Sequence, residues 1–65
     1  MKIILNGESL ETECKTLQTL LEELGHSEKS VATAANKVFV PKSSRSRYQL
    51  ESDDLIEIIA PMSGG

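Results

Sequence analysis

Lys2-Ile3-Ile4-Leu5-Asn6-Gly7-Glu8-Ser9-Leu10-Glu11-Thr12-Glu13-Cys14 carries the strongest local structural signal of the chain. Lys2 to Leu5 is short and rich in branched side chains, and Asn6-Gly7 follows it at once. Asn-Gly is the strongest two-residue hairpin signal, because both positions tolerate positive φ. From Glu8 to about Cys14 the residues alternate, with Leu10, Thr12 and Cys14 on one face. The pattern predicts a strand, a tight turn and a second strand.

Beyond Cys14 the apolar period changes from two to 3.6. Leu17, Leu20, Leu21 and Leu24 form one stripe on a helix, with Thr16 as its N-cap and Gly25 at its end. His26 to Ser30 is a polar connection. Val31 to Ala35 reads as a small-residue strand, Asn36-Lys37 as a turn, and Val38 to Val40 as a strand stopped by Pro41. Lys42 to Gln49 is polar loop, with Arg45 and Arg47 as solvated charges, and Leu50 plugs into the core from it. Ser52-Asp53-Asp54 turns the chain into the most hydrophobic strand, Leu55 to Ile59, and Pro61 prevents its extension.

The predicted order is β-β-α-β-β-β. One helix must cover one face of a small mixed sheet, which is an α+β solution. The most apolar strands, Ile3 to Leu5 and Ile56 to Ile58, belong in the centre side by side, and there they run parallel. That is the β-grasp arrangement. The expected division is a domain over residues 1–60 and a slim tail over residues 61–65. No cleft of enzyme size is expected beside such a core.

Bulk properties narrow the function. A chain of 65 residues holds one small domain, too little for a core and a deep catalytic pocket together, so a stand-alone enzyme is not expected. Ten acidic residues against seven Lys and Arg leave a net charge of −3, unsuited to binding phosphate backbones of nucleic acid. The single cysteine excludes an internal disulfide and a two-cysteine metal site. The apolar start at Met1 to Leu5 ends far short of a membrane span or signal sequence. These features predict a cytoplasmic protein that binds no nucleic acid, membrane or metal.

Met62-Ser63-Gly64-Gly65 is then the stretch without a packing role. Two glycines lose the most backbone entropy on ordering and offer no side chain to a core. They suit a slim tail whose terminal carboxylate is the working group; a frayed end stands as the plain alternative.

Taken together, Val31-Ala32-Thr33-Ala34-Ala35-Asn36, Phe39-Val40-Pro41, Asp54-Leu55-Ile56-Glu57-Ile58, Pro61 and Gly64-Gly65 resemble the ThiS family. Those are ubiquitin-like sulfur carriers of thiamine biosynthesis. Two positions depart from the family pattern: Lys37 stands where glycine usually follows the asparagine, and Asp53-Asp54 stands in place of Gly-Asp. Both are turns, and neither touches the tail. The resemblance implies that the carboxylate of Gly65 is adenylated by an E1-like (ThiF-like) adenylyltransferase using ATP and magnesium. A persulfide donor then converts it to a thiocarboxylate, and a ThiG-like thiazole synthase receives the sulfur. The chain itself would bind no cofactor. Alternatives are a carrier like the small subunit of molybdopterin synthase, a ubiquitin-like protein modifier, or an interaction domain.

The tail residues suit that chemistry. A carboxylate is a poor electrophile until a leaving group is attached. A Cβ at Gly65 would crowd the attacked carbon, and one at Gly64 would widen the thread. Five residues from Pro61 to Gly65 reach about 17 Å when extended. Alternation places Ile4, Ala34, Val40 and Ile59 on the sheet face away from the helix, a candidate patch for partner enzymes. Isolated surface apolar residues are also ordinary. Cys14 reads as a small core hydrophobe. His26 lacks companions for a metal site. Asp53 and Asp54 read as solvated turn residues, and Ser43, Ser44 and Ser46 as loop.

Overall fold

The computed structural model describes residues 1–26 and 31–60. Strands β1 (Lys2–Leu5) and β2 (Glu8–Glu11) form the first hairpin, and helix α1 (Leu17–Glu23) follows. A second hairpin pairs β3 (Ala32–Ala35) with β4 (Val38–Val40), and β5 (Leu55–Ile59) completes the sheet in the order β2-β1-β5-β3-β4. β5 is therefore central. It runs parallel to β1 through Ile4–Leu55 and Leu5–Ile56, and antiparallel to β3. The adjacent, parallel first and last strands are the predicted β-grasp topology.

Both hairpins turn through two residues with positive φ: Asn6 (49°) and Gly7 (86°), then Asn36 (51°) and Lys37 (69°). Turns of this kind match the right-handed twist of the strands they join. β2 is shorter than expected and ends at Glu11, yet Thr12 continues inward and is buried. Its amide still donates to the carbonyl of Met1 at 2.9 Å.

The helix ends follow the sequence signals. The amide of Thr19 donates to Thr16 Oγ1 at 3.2 Å, and the amide of Thr16 donates to Thr19 Oγ1 at 3.3 Å, a reciprocal capping box. Gly25 takes φ 83°, so the His26 amide reaches Leu21 O at 2.8 Å and the Gly25 amide reaches Glu22 O at 3.1 Å. That pair of bonds is a Schellman closure. A helix of seven residues has little stability alone. Burial of Leu17, Leu20 and Leu21 against Ile3, Ile56 and Ile58 holds it on the sheet. Leu50 enters the same core, as expected, anchored by its amide to Lys15 O at 2.8 Å.

Two side chains expected in solvent are buried. Arg45 lies across the core margin, where Nε donates to Thr33 Oγ1 at 3.0 Å and Nη2 donates to Val31 O at 2.6 Å. A guanidinium can be buried where its donors are satisfied and its stem packs. Asp54 is buried as well: it accepts from Tyr48 Oη (3.1 Å), Asn36 Nδ2 (3.1 Å) and the Glu51 amide (2.9 Å). Its neighbour Asp53 is exposed at φ 70°, 3.8 Å from Lys2 Nζ. A loose exposed pair of that kind adds little stability. Among the described residues no helix is long and apolar enough to cross a membrane.

Candidate functional site

The tail residues Pro61, Met62, Ser63, Gly64 and Gly65 lie outside the described residues. What the structure gives is their root. β5 leads through Ile59 to Ala60, and Asn6 grips it from the side. The Asn6 amide group donates through Nδ2 to Ile58 O at 3.3 Å and accepts from the Ile58 amide at 2.9 Å. A side chain thus continues the β1–β5 pairing beyond the point where β1 turns away. The root is held from below too, because the Asn6 backbone amide donates to Ile56 O at 2.9 Å.

The sheet face opposite α1 is apolar around this root. Ile59 is 59% exposed, while Ile4 and Ala34 are half-buried. Val40 is not on that face: it pairs with Thr33, points inward and is buried. The register explains the correction. A two-residue turn at Asn36-Lys37 sets Ala35 opposite Val38, hence Ala34 opposite Phe39 and Thr33 opposite Val40. Phe39, 65% exposed, therefore shares the outer face with Ala34. Leu55, 41% exposed and paired with Ile4, belongs there also. Both were missed, although the turn length already placed Phe39.

Two surface hollows flank these strands. The larger, about 370 Å³, lies between β4 and the following loop, against Val38, Val40, Pro41, Arg47 and Tyr48. It is a broad hollow open to solvent rather than an enclosed cleft. Its lining is mostly apolar and brings together no nucleophile, base and orienting acid. The smaller hollow, about 220 Å³, lies on the outer face among Ile4, Gly7, Lys37, Leu55 and Glu57.

The remaining candidates play structural parts. Cys14 packs at the core margin and its thiol donates to Glu23 Oε2 at 3.1 Å. No group of three or more His, Cys, Asp or Glu among the described residues is placed to hold a metal ion. Burial, then the hydrogen bond to Asp54 and the nearby carboxylate charges, raises the Tyr48 phenol above its ordinary pKa.

Comparison with known proteins agrees with this geometry. The family model described as ThiS family matches residues 3–65. Thiazole synthases of Paramagnetospirillum magneticum and Magnetococcus marinus are 38% and 39% identical over alignments of 66 positions that cover all of this chain. The chain spans only 20% of the length of each. The sulfur carrier protein ThiS of Thermus thermophilus is 40% identical over 61 residues, covering 94% of this chain and 95% of its own. A crystal structure of a thiamine biosynthesis protein (ThiS) from Geobacter metallireducens superposes with a TM-score of 0.84 over the whole of both chains. At 19% identity that likeness establishes the fold. Sequence match and β-grasp architecture coincide along the chain, which belongs to the ThiS family.

Proposed function

We propose that this protein is a sulfur carrier of thiamine biosynthesis, with residues 1–60 as the recognised body and residues 61–65 as the delivered tail. One observation carries the reading: the match to the family model extends to residue 65, so Gly64-Gly65 falls inside the matched stretch. The carrier supplies no catalytic groups of its own. In an activating enzyme resembling E1 adenylyltransferases, the Gly65 carboxylate attacks the α-phosphate of magnesium-bound ATP and releases pyrophosphate. The terminal sulfur of a persulfide attacks the acyl-adenylate, and AMP leaves. A second thiol cleaves the remaining S–S bond, leaving the thiocarboxylate on Gly65 and a disulfide behind. The acceptor is a thiazole synthase; two similar proteins carrying that name support this choice. The setting is the cytoplasm.

The outer sheet face is the surface that these enzymes share. Phe39, Leu55 and Ile59 are too exposed to serve the core, and Ile59 leads into the tail. Ile4 and Ala34 fill the spaces between them.

Mass spectrometry of protein purified from its host tests the chemistry. A gain of about 16 Da on the peptide ending at Gly65, sulfur in place of oxygen, is expected. A branched adduct on a target lysine would instead identify a modifier. Deleting Gly65 abolishes sulfur transfer and leaves the thermal midpoint nearly unchanged, since glycine contributes no packed side chain. Transfer by the shortened chain would sink the mechanism.

A further inference from the structure

Glu57 stands in the middle of the outer apolar face. It lies on β5 between Leu55 and Ile59, two residues from each, so all three share one side of the strand. Across the sheet it pairs with Ala34, whose other partner is Phe39. Among the described residues the Glu57 carboxylate makes no hydrogen bond or ion pair. Lys37 lines the same hollow and lies beyond salt-bridge distance of it.

We infer that Glu57 is the charged specificity determinant of this face, and that the partner presents an arginine or lysine to it within an apolar shelf. The inference rests on the outer face being the docking surface. A partner that covers Leu55 and Ile59 must also cover the residue between them, and Glu57 then loses its water. A carboxylate buried without a counter-charge opposes association strongly; paired with a cation, it fixes the docking register. Its neighbours across the sheet supply no counter-charge: Ala34 has no polar group, Ile4, Leu55 and Ile59 are hydrocarbon, and Lys37 stands beyond salt-bridge distance. The occupant is therefore a protein surface of matched chemistry, with a single cation in a hydrophobic setting. Acidic surfaces are rejected, which gives the face selectivity that apolar contact alone lacks.

The test measures binding of the full chain to the host's thiazole synthase over a range of sodium chloride concentrations. Glu57→Gln keeps the shape and removes the charge. It should weaken binding roughly tenfold at low salt and flatten the salt dependence. Glu57→Arg should weaken it further by opposing the partner cation. Phe39→Ser and Ile59→Ser should weaken binding while leaving the salt dependence as in the natural chain. All three sites are exposed, and an unchanged thermal midpoint confirms that each of the four variants is folded. If the two serine variants weaken binding but Glu57→Gln does not, the charge inference is overturned and the docking face stands. If the serine variants bind as tightly as the natural chain, the face itself is misassigned and the inference falls with it.

Discussion

The two hairpins of this small sheet share one backbone solution and differ in how they sustain it. Each turns on an asparagine followed by a second residue with positive φ, and each asparagine side chain bonds the central strand: Asn6 holds Ile58, and Asn36 accepts from the Leu55 amide at 3.1 Å. The first hairpin places Gly7 at the strained second position, where φ 86° costs nothing. The second places Lys37 there at φ 69°, and Asn36 additionally ties into the buried Asp54. Turn geometry thus outranks turn composition. Where glycine is missing, the surrounding polar contacts hold the same conformation.

The largest expected effect comes from replacing each asparagine by glycine, which keeps the turn and removes the side-chain bonds. Asn36→Gly should cost about 2–4 kcal/mol, because one lost bond is to a buried carboxylate. Asn6→Gly should cost about 1–2 kcal/mol, having only neutral bonds to lose. Equal costs in urea melts would show that Asp54 adds nothing to the second hairpin. Lys37→Gly should act in the opposite direction, stabilising by about 0.5–1 kcal/mol by relieving the left-handed conformation. A destabilised Lys37→Gly would mean that the lysine side chain, not the backbone, decides this turn.

The smallest effect is spectroscopic. Tyr48 is the only tyrosine and tryptophan is absent, so ultraviolet titration reads its phenol without interference. The raised folded pKa means that Tyr48 favours the fold below the unfolded pKa, a contribution lost as pH rises through the folded value. The phenol should therefore titrate above 10.0, and Asp54→Asn should bring the midpoint only part of the way back, because burial, the largest single cause, remains. A full return would assign the whole shift to the carboxylate.

Local and periodic signals in the sequence were sufficient for most of the architecture. Asn6-Gly7, the leucine stripe, Thr16 and Gly25 each have a short-range physical meaning, and each is realised in the structure. The family pattern of the tail was legible for the same reason, as an order of motifs. What escaped depended on contacts distant in sequence. The burial of Arg45 depends on acceptors at Val31 and Thr33, and that of Asp54 on Asn36 and Tyr48. Val40 is different: its inward direction follows from counting back across a two-residue turn, so that error was avoidable. Phe39 on the outer face is the same count read on the next residue.

The parallel contact of β1 and β5 also has a mechanical consequence. A partner that draws residues beyond Ala60 into its own site applies force along β5. The bonds joining β5 to its neighbours lie across that direction, so they bear the load together in shear. Asn6 adds its two bonds at Ile58, close to where the pull arrives. A load of this kind cannot unzip the sheet one pair at a time. Under the proposed function, the tail can be hauled into an enzyme while the body that identifies it stays intact.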